Sequence, residues 1–352
     1  MRPTFAVLLI VLVSCACAAM PVAAQDRADL PRLRHFVIGD TAAKTPGRVS
    51  PGLLLMGGSE WTEAAFDWFA SHAGNGHLVI LRASGGEDLQ KRWFERFGGV
   101  ASVQTFVFGA REAAGDAVML AAVAKADGVF IAGGDQSRYI RYWKDTPLES
   151  ALDAHVKNRK PLGGTSAGLA ILGHVAYGAL DGTSMTSARA LADPLGDGVT
   201  LDEGFLAMPF LGSVVTDTHF ARRDRLGRLI VFLARARHDG LIDEPLGIGV
   251  DESTVLCVEG DGRARVIGAN GGRVWFLQLP RREAALRAGT PLDLAGVRIR
   301  VADEGSRIRL RPLSIRKPAF EAVATIRAGV MTVEPPLPPL PPLPPPPNRE
   351  SR

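Results

Sequence analysis

Between residues 52 and 172 the chain alternates short, continuously apolar runs with segments patterned for helix, and glycines follow most of the apolar runs. "GLLLMGGSE" leads into "WTEAAFDWFASHA", and "HLVILRASGG" into a helix through Lys91 to Phe97. "ASVQTFVFG" leads into "GDAVMLAAVAKA", and "GVFIAGGDQ" into "SRYIRYWKD" and "PLESALDAHVKN". Such runs predict strands buried on both faces, and their alternation with helices predicts a parallel sheet covered on both sides. In α/β sheets of this kind ligands bind beyond the carboxyl ends of the strands, where these glycine turns fall. The last unit, "KPLGGTSAG", delivers a strand end into a helix and sets one serine, Ser166, at the turn.

The rest of the chain reads differently. Past Gly173 comes a polar insertion from Tyr177 to Glu203, then the strand "LGSVVTDTHF". "RDRLGRLIVFLARAR" predicts an amphipathic helix with Leu226, Leu229, Ile230 and Leu233 on one face. From Gly247 the pattern turns to β, in "GIGVDEST", "VLCVEG", "ARVIGANGG" and "VWFLQL", with an arginine-rich β-like segment from Val297 to Leu313. Pro335 to Pro347 predicts an extended polyproline II tail.

With 352 residues, 46% of them hydrophobic and 22% charged, the chain has the composition of a globular protein with ample core. The net charge of +4 is carried mostly by arginine and is spread out, with no aromatic-interleaved basic run, which argues against a nucleic-acid partner. The N-terminal "MRPTFAVLLIVLVSCACAAMPVAAQ" has the layout of a secretory signal and is too short for a stable membrane span. "VAA" before Gln25 suits ordinary cleavage, whereas "LVSC" resembles a lipobox that would leave Cys15 lipidated and the protein attached to a membrane. Either way Cys257 is the one thiol left in the body of the chain, so no internal disulfide is expected.

"GTSAG" fits the G-x-S-x-G elbow, in which a strained strand-to-helix turn lifts a serine hydroxyl clear of the backbone. A serine needs a base within hydrogen-bond reach and a third group to orient that base. Of the histidines, only His219 directly follows a predicted core strand at the sheet edge expected for Ser166. His72, His155 and His238 read as helix residues on solvated faces, and His174 points away along the helix. Glu252 ends another short strand and is the candidate acid, with Asp251 and Asp217 as competitors. The order Ser166, His219, Glu252 differs from the Ser–acid–His order of α/β-hydrolases and implies another topology. For a developing oxyanion, the Ala167 amide offers one donor, and Gly134 or Asp135 in "AGGDQ" offers a second.

Four motifs in order, "FIAGGDQ", "GGTSAG", "DTHFARRDRLGRL" and "GIGVDES", resemble the cyanophycinase group of the S51 serine peptidases, whose relatives include aspartyl dipeptidases. The resemblance runs from about Leu53 to Leu279. It implies a class I glutamine-amidotransferase-like, flavodoxin-like α/β fold. In that fold a three-layer α/β/α sandwich surrounds a mostly parallel central sheet, here with a small β-rich C-terminal extension. It implies Ser166 as nucleophile, His219 as base and Glu252 as orienting acid, with Gln136, Asp217, Arg223, Arg225 and Arg228 lining the cleft. Cyanophycin is polyaspartate with arginines joined through the β-carboxyls, and arginine forks suit its carboxylates. One departure stands out: Thr218 occupies the position where cyanophycinases typically carry glutamine, which removes an amide from the cleft and opens the polymer itself to question.

The expectation is an exported serine exopeptidase, periplasmic or extracellular, acting on aspartyl peptides or a cyanophycin-like polymer. An isoaspartyl or aspartyl dipeptidase on the same scaffold is the first alternative, and a non-catalytic envelope-scaffold protein the second. No metal or organic cofactor is called for, because no Cys/His cluster or phosphate loop is present; a homodimer is left open. The organisation expected is a signal peptide over 1–24 and a lead-in over 25–50. A catalytic domain then spans 51–280, followed by a β-rich segment over 281–334 and a proline-rich tail over 335–352.

Overall fold

A computed structural model describes residues 31–97, 99–269, 271–281 and 286–339. The N-terminal stretch expected to be a signal, with Cys15 and Cys17, and the tail from residue 340 onward lie outside these. The elements in chain order are β1 (Leu33–Gly39), β2 (Gly52–Met56), α1 (Glu63–His72), β3 (His77–Arg82), α2 (Asp88–Lys91), β4 (Ser102–Phe108), α3 (Ala117–Lys125), β5 (Gly128–Ile131), α4 (Gln136–Trp143), α5 (Pro147–Lys157), β6 (Leu162–Thr165) and α6 (Ala167–Ala170). There follow β7 (Val175–Tyr177), α7 (Ser187–Ala192), β8 (Leu201–Glu203), β9 (Val214–Asp217), α8 (Leu226–His238) and β10 (Leu246–Val250). The chain closes with β11 (Thr254–Glu259), β12 (Arg263–Gly268), β13 (Val274–Gln278), β14 (Leu294–Ala302), β15 (Arg307–Arg309), β16 (Ser314–Arg316), β17 (Phe320–Arg327) and β18 (Val330–Glu334).

These strands make two sheets within an α/β fold. The first runs β1-β4-β3-β5-β6-β2-β11-β12-β15-β16 and the second β18-β17-β14-β13-β10-β9-β7-β8. Parallel pairing in the first sheet is confined to β4-β3-β5-β6-β2. Both flanks are antiparallel, so the expected mostly parallel sheet is parallel only at its centre. The reason lies in the connections: helices carry the chain between the central strands, whereas tight Gly/Asp turns join β11 to β12 and force antiparallel hairpins. β1, inside what the sequence presented as a polar lead-in, is an edge strand with one face in solvent, and its alternating burial explains why it lacks a continuous apolar run.

The second sheet was not anticipated. β9, which leads to His219, belongs to it and not to the sheet that carries Ser166. The strands after residue 281 complete both sheets: β15 and β16 extend the first, and β14, β17 and β18 the second.

Alternate residues of the central strands enter different cores, as period-two alternation demands. Leu53, Leu55, Val79 and Leu81 pack with α3, α4 and α5. Leu54, Met56, Leu78 and Ile80 pack with α1 and the aromatic residues Phe66, Phe69, Trp93 and Phe130. Val214, Ile248, Val250 and Phe276 of the second sheet join the first of these cores, while α7 and α8 cover that sheet's other face. The helix predicted to be amphipathic, α8, is buried over nearly its whole circumference, including Arg228. No helix among the described residues is long and apolar enough to cross a membrane.

Candidate active site

Ser166 stands between β6 and α6 with φ 51° and ψ −118°, a region that a residue with a β-carbon adopts only under constraint from its surroundings. A β-carbon on Gly164 would lie 2.5 Å from the Gly168 carbonyl oxygen, and one on Gly168 would lie 2.2 Å from that of Ile131. Only glycine permits such an approach, and this is the physical content of the G-x-S-x-G pattern here. The Ser166 amide donates to the Met56 carbonyl at 3.1 Å, so the elbow remains tied to β2.

His219 follows β9 in a left-handed turn, φ 45°. Its amide donates to the Gly57 carbonyl at 2.8 Å, and the Thr216 hydroxyl donates to the Leu169 carbonyl at 2.9 Å, joining β9 to the elbow helix. Two sheets are thereby held in register at one point. Ser166 Oγ lies 2.9 Å from His219 Nε2, and His219 Nδ1 lies 2.7 Å from Glu252 Oε1. A carboxylate only accepts, so Nδ1–H donates to Glu252 and Nε2 is free to accept from the serine hydroxyl. Burial pushes the imidazole below its ordinary range, and the charges of Arg223 and Arg225 act in the same direction against the Glu252 hydrogen bond. The ring is therefore a neutral base at neutral pH.

Of the competing acids, Asp251 is committed elsewhere. It accepts from the Ala221 amide at 2.9 Å, the Arg273 amide at 3.2 Å and the Trp275 indole at 3.0 Å. Burial raises its pKa. Asp217 is buried against Arg228, whose Nε and Nη2 reach its two oxygens at 2.8 and 2.5 Å. Glu252 is left as the acid that meets the imidazole.

The Ala167 and Gly134 amides have no hydrogen-bond partner among the described residues. Gly134 is exposed and takes φ 154°. The neighbouring Gly133 approaches the serine closely enough that a β-carbon there would lie 3.3 Å from Ser166 Cβ. Several residues that build this site carried no clear signal in the sequence. The Tyr139 hydroxyl donates to the Ala132 and Gly133 carbonyls at 2.8 and 3.1 Å and so braces the "AGGD" turn from beneath. Gly57 and Gly58 underpin the histidine, and the Gly58 carbonyl accepts from the Ser253 amide at 2.8 Å, fixing the loop that carries Glu252. The glycine run after β2 was visible; its purpose was not.

The five residues expected to line a cleft divide into two groups. Arg223 is exposed, with Nε 4.0 Å from Glu252 Oε1, and Gln136 is half-buried, donating to the Tyr177 carbonyl at 3.1 Å. Asp217 and Arg228 do not face a cleft, since each is only 2% exposed. Arg228 is bonded also to the Met185 carbonyl at 2.9 Å and lies over the Tyr177 and Phe232 rings. Arg225 is buried and donates to the Thr218 carbonyl and hydroxyl at 2.8 and 3.0 Å. A buried ion pair and a solvated one look alike in sequence, so the burial of this helix start was not legible.

The remaining histidines are elsewhere. His155, expected on a solvated face, is 3% exposed and bonded to the Pro161 carbonyl. His72 is half-buried against Glu259, and His174, past the end of α6, faces Glu203. Among the described residues no group of three or more His, Cys, Asp or Glu gathers to hold a metal.

A serine, an imidazole and a carboxylate in line at a strained strand end are the equipment of a serine-type hydrolase. Residues 107–192 match the family described as Peptidase family S51. The chain is 34% identical over 219 residues to a cyanophycinase of Synechococcus elongatus, covering 60% of this chain and 62% of that one, just under two thirds of the relative's length. It is 30% identical over 284 residues to a cyanophycinase of Trichormus variabilis, covering 76% of this chain and 88% of that one. A crystal structure of a peptidase from an acI-B1 Actinobacterium aligns with 75% of this chain and 98% of its own, at 19% identity and a TM-score of 0.48. The chain belongs to peptidase family S51.

Proposed function

We propose that this protein is an exported serine exopeptidase of cyanophycinase type, built on a class I glutamine-amidotransferase-like α/β/α sandwich. It hydrolyses aspartyl peptide bonds of a β-Asp-Arg polymer or related peptides. The observation that carries the reading is the 2.9 Å contact between Ser166 Oγ and His219 Nε2.

The geometry supports the following chemistry. Ser166 Oγ attacks the scissile carbonyl while His219 Nε2 takes its proton, and the Glu252 carboxylate stabilises the imidazolium that forms. The oxyanion is received by the uncommitted Ala167 and Gly134 amides. The imidazolium returns its proton to the departing amine, leaving an acyl-serine, and a water activated by the same ring releases the acid and regenerates the hydroxyl. Arg223 is exposed beside the triad, which supports a role in holding a substrate carboxylate.

A second reading, an isoaspartyl or aspartyl dipeptidase, is favoured by one observation. Thr218 is 3% exposed and accepts from Arg225, so neither group extends toward a long substrate as a glutamine amide would. Hydrolysis of three substrates by purified protein, namely β-Asp-Arg polymer, β-Asp dipeptides and α-Asp dipeptides, separates the two. Turnover of the polymer supports the first, and turnover of dipeptides alone supports the second. No turnover of any of the three, with a folded protein, removes both. Export is tested by following the full chain and its Cys15→Ser variant through cell fractionation.

A further inference from the structure

At the end of the second sheet away from the triad, where β9 and β10 begin, the structure holds a cavity of about 880 Å³. Ser213 and Leu246 stand in its wall, each six positions before the His219 and Glu252 that its strand leads to. At a strand rise of ~3.3 Å per residue, these wall residues lie at most roughly 20 Å from His219 and Glu252. It opens between the sheets, since the Leu310–Leu313 turn links strands of the first, whereas Gln278 and Arg298 belong to the second.

Its charged lining is Arg237, Arg281, Arg298 and Arg311, with Asp243 and Glu244 exposed at the rim. Some arginines elsewhere in this chain find acids, as in Arg228–Asp217, Arg235–Asp239 and Arg263–Asp261, whereas others, such as Arg34 and Arg141, donate to backbone carbonyls. Among the described residues none of these six groups enters an ion pair. Arg237 donates to the backbone carbonyls of Asp243 and Pro280, at 3.0 and 2.7 Å, and Arg311 to the Ser213 hydroxyl at 2.6 Å. Four cations and two anions thus line one space without an ion pair among the described residues. A ligand carrying both carboxylates and cations would neutralise them, the arginine forks taking the carboxylates and the two acids a guanidinium.

We propose that this cavity is a second binding site for the polymeric substrate, a chain bearing a carboxylate and a guanidinium on each unit. The site retains the polymer while its ends are cut at Ser166. This rests on the substrate reading given above. A chain of roughly ten units spans at most ~35 Å, enough to reach from the cavity to the triad. Retention raises the effective concentration of chain ends at the serine without a new contact there.

The test uses the full chain carrying Ser166→Ala, which leaves the polymer intact, with and without Arg281→Glu and Arg298→Glu. Both arginines are exposed, and thermal melts of the variants are expected to match the parent. By calorimetry the reversals weaken binding of soluble β-Asp-Arg polymer at least about tenfold and leave binding of the β-Asp-Arg dipeptide unchanged. With Ser166 restored, the same reversals raise KM for the polymer and change neither kcat nor the kcat/KM for the dipeptide. Equal polymer affinity with and without the reversals overturns the proposal. Tighter binding of inorganic polyphosphate than of the polymer, lost on reversal, overturns the assignment to carboxylates. Failure of the substrate reading is a different result, namely no hydrolysis of polymer or dipeptide by protein with all arginines intact.

Discussion

A β-carbon on Gly58 would lie 2.4 Å from Cε1 of His219 and 2.5 Å from its Nε2. The imidazole is thus seated directly on a bare backbone, and Gly58 also holds a positive φ of 113° that disfavours other residues. Gly58→Ala pushes the ring off the serine. The expected result is a kcat lowered by about a hundredfold, because a misplacement near 1 Å is enough for that. Steady-state kinetics beside a thermal melt checks it; unchanged kcat in a folded variant contradicts the seating.

Protonation of His219 removes the base. Burial and the nearby arginines depress its pKa below the ordinary 6.5, so the folded protein keeps the neutral form at pH values where a free imidazole is charged. The acid limb of kcat/KM is expected below pH 6.5. Arg223→Ala removes one of the depressing charges, and the limb then moves to higher pH. A limb that stays in place, or moves lower, contradicts the assignment of that limb to His219.

The Asp217–Arg228 pair braces the site from within. Asp217→Leu strands Arg228 and Arg225 in the interior, and the loss of stability is expected to be about 3–5 kcal/mol. Asp217→Leu combined with Arg228→Met removes both charges and recovers part of that loss. Chemical denaturation of the two variants checks the order; a double variant less stable than the single one contradicts it.

His155 supplies a pH dependence of stability far from the triad. Burial lowers its pKa to about 4, against 6.5 when exposed. Between these values the unfolded chain binds more protons, so stability rises with pH across that window and is complete above it. The contribution lost between pH 7 and pH 4 is about 3 kcal/mol. His155→Gln retains a donor for the Pro161 carbonyl and does not titrate. Denaturation curves from pH 4 to pH 7 are expected to be flatter for this variant than for the wild type.

The central strands of the first sheet were legible because each carries a mostly apolar run closed by a glycine or helix signal. The elbow was legible because Gly164 and Gly168 are demanded by close backbone approach. The second sheet was not, since its strands pair across long separations and read as isolated β segments. Strand alternation set Glu252 apart from Asp251, but the reason lies elsewhere. β10 ends at Val250, and the turn through Ser253, with φ 51°, directs the two acids to different partners. Tyr139 resembled any core aromatic, and its brace on the "AGGD" turn is a tertiary fact.

The central claim is that Ser166 is a nucleophile made reactive by His219. Treatment of the full-length protein with a phosphonylating serine reagent, followed by peptide mass analysis, tests it most directly. The account predicts a single adduct on the peptide containing Ser166, absent from Ser166→Ala and sharply reduced in His219→Ala, with all three proteins folded. No adduct on the wild type, or equal labelling of Ser166 with and without the imidazole, contradicts it.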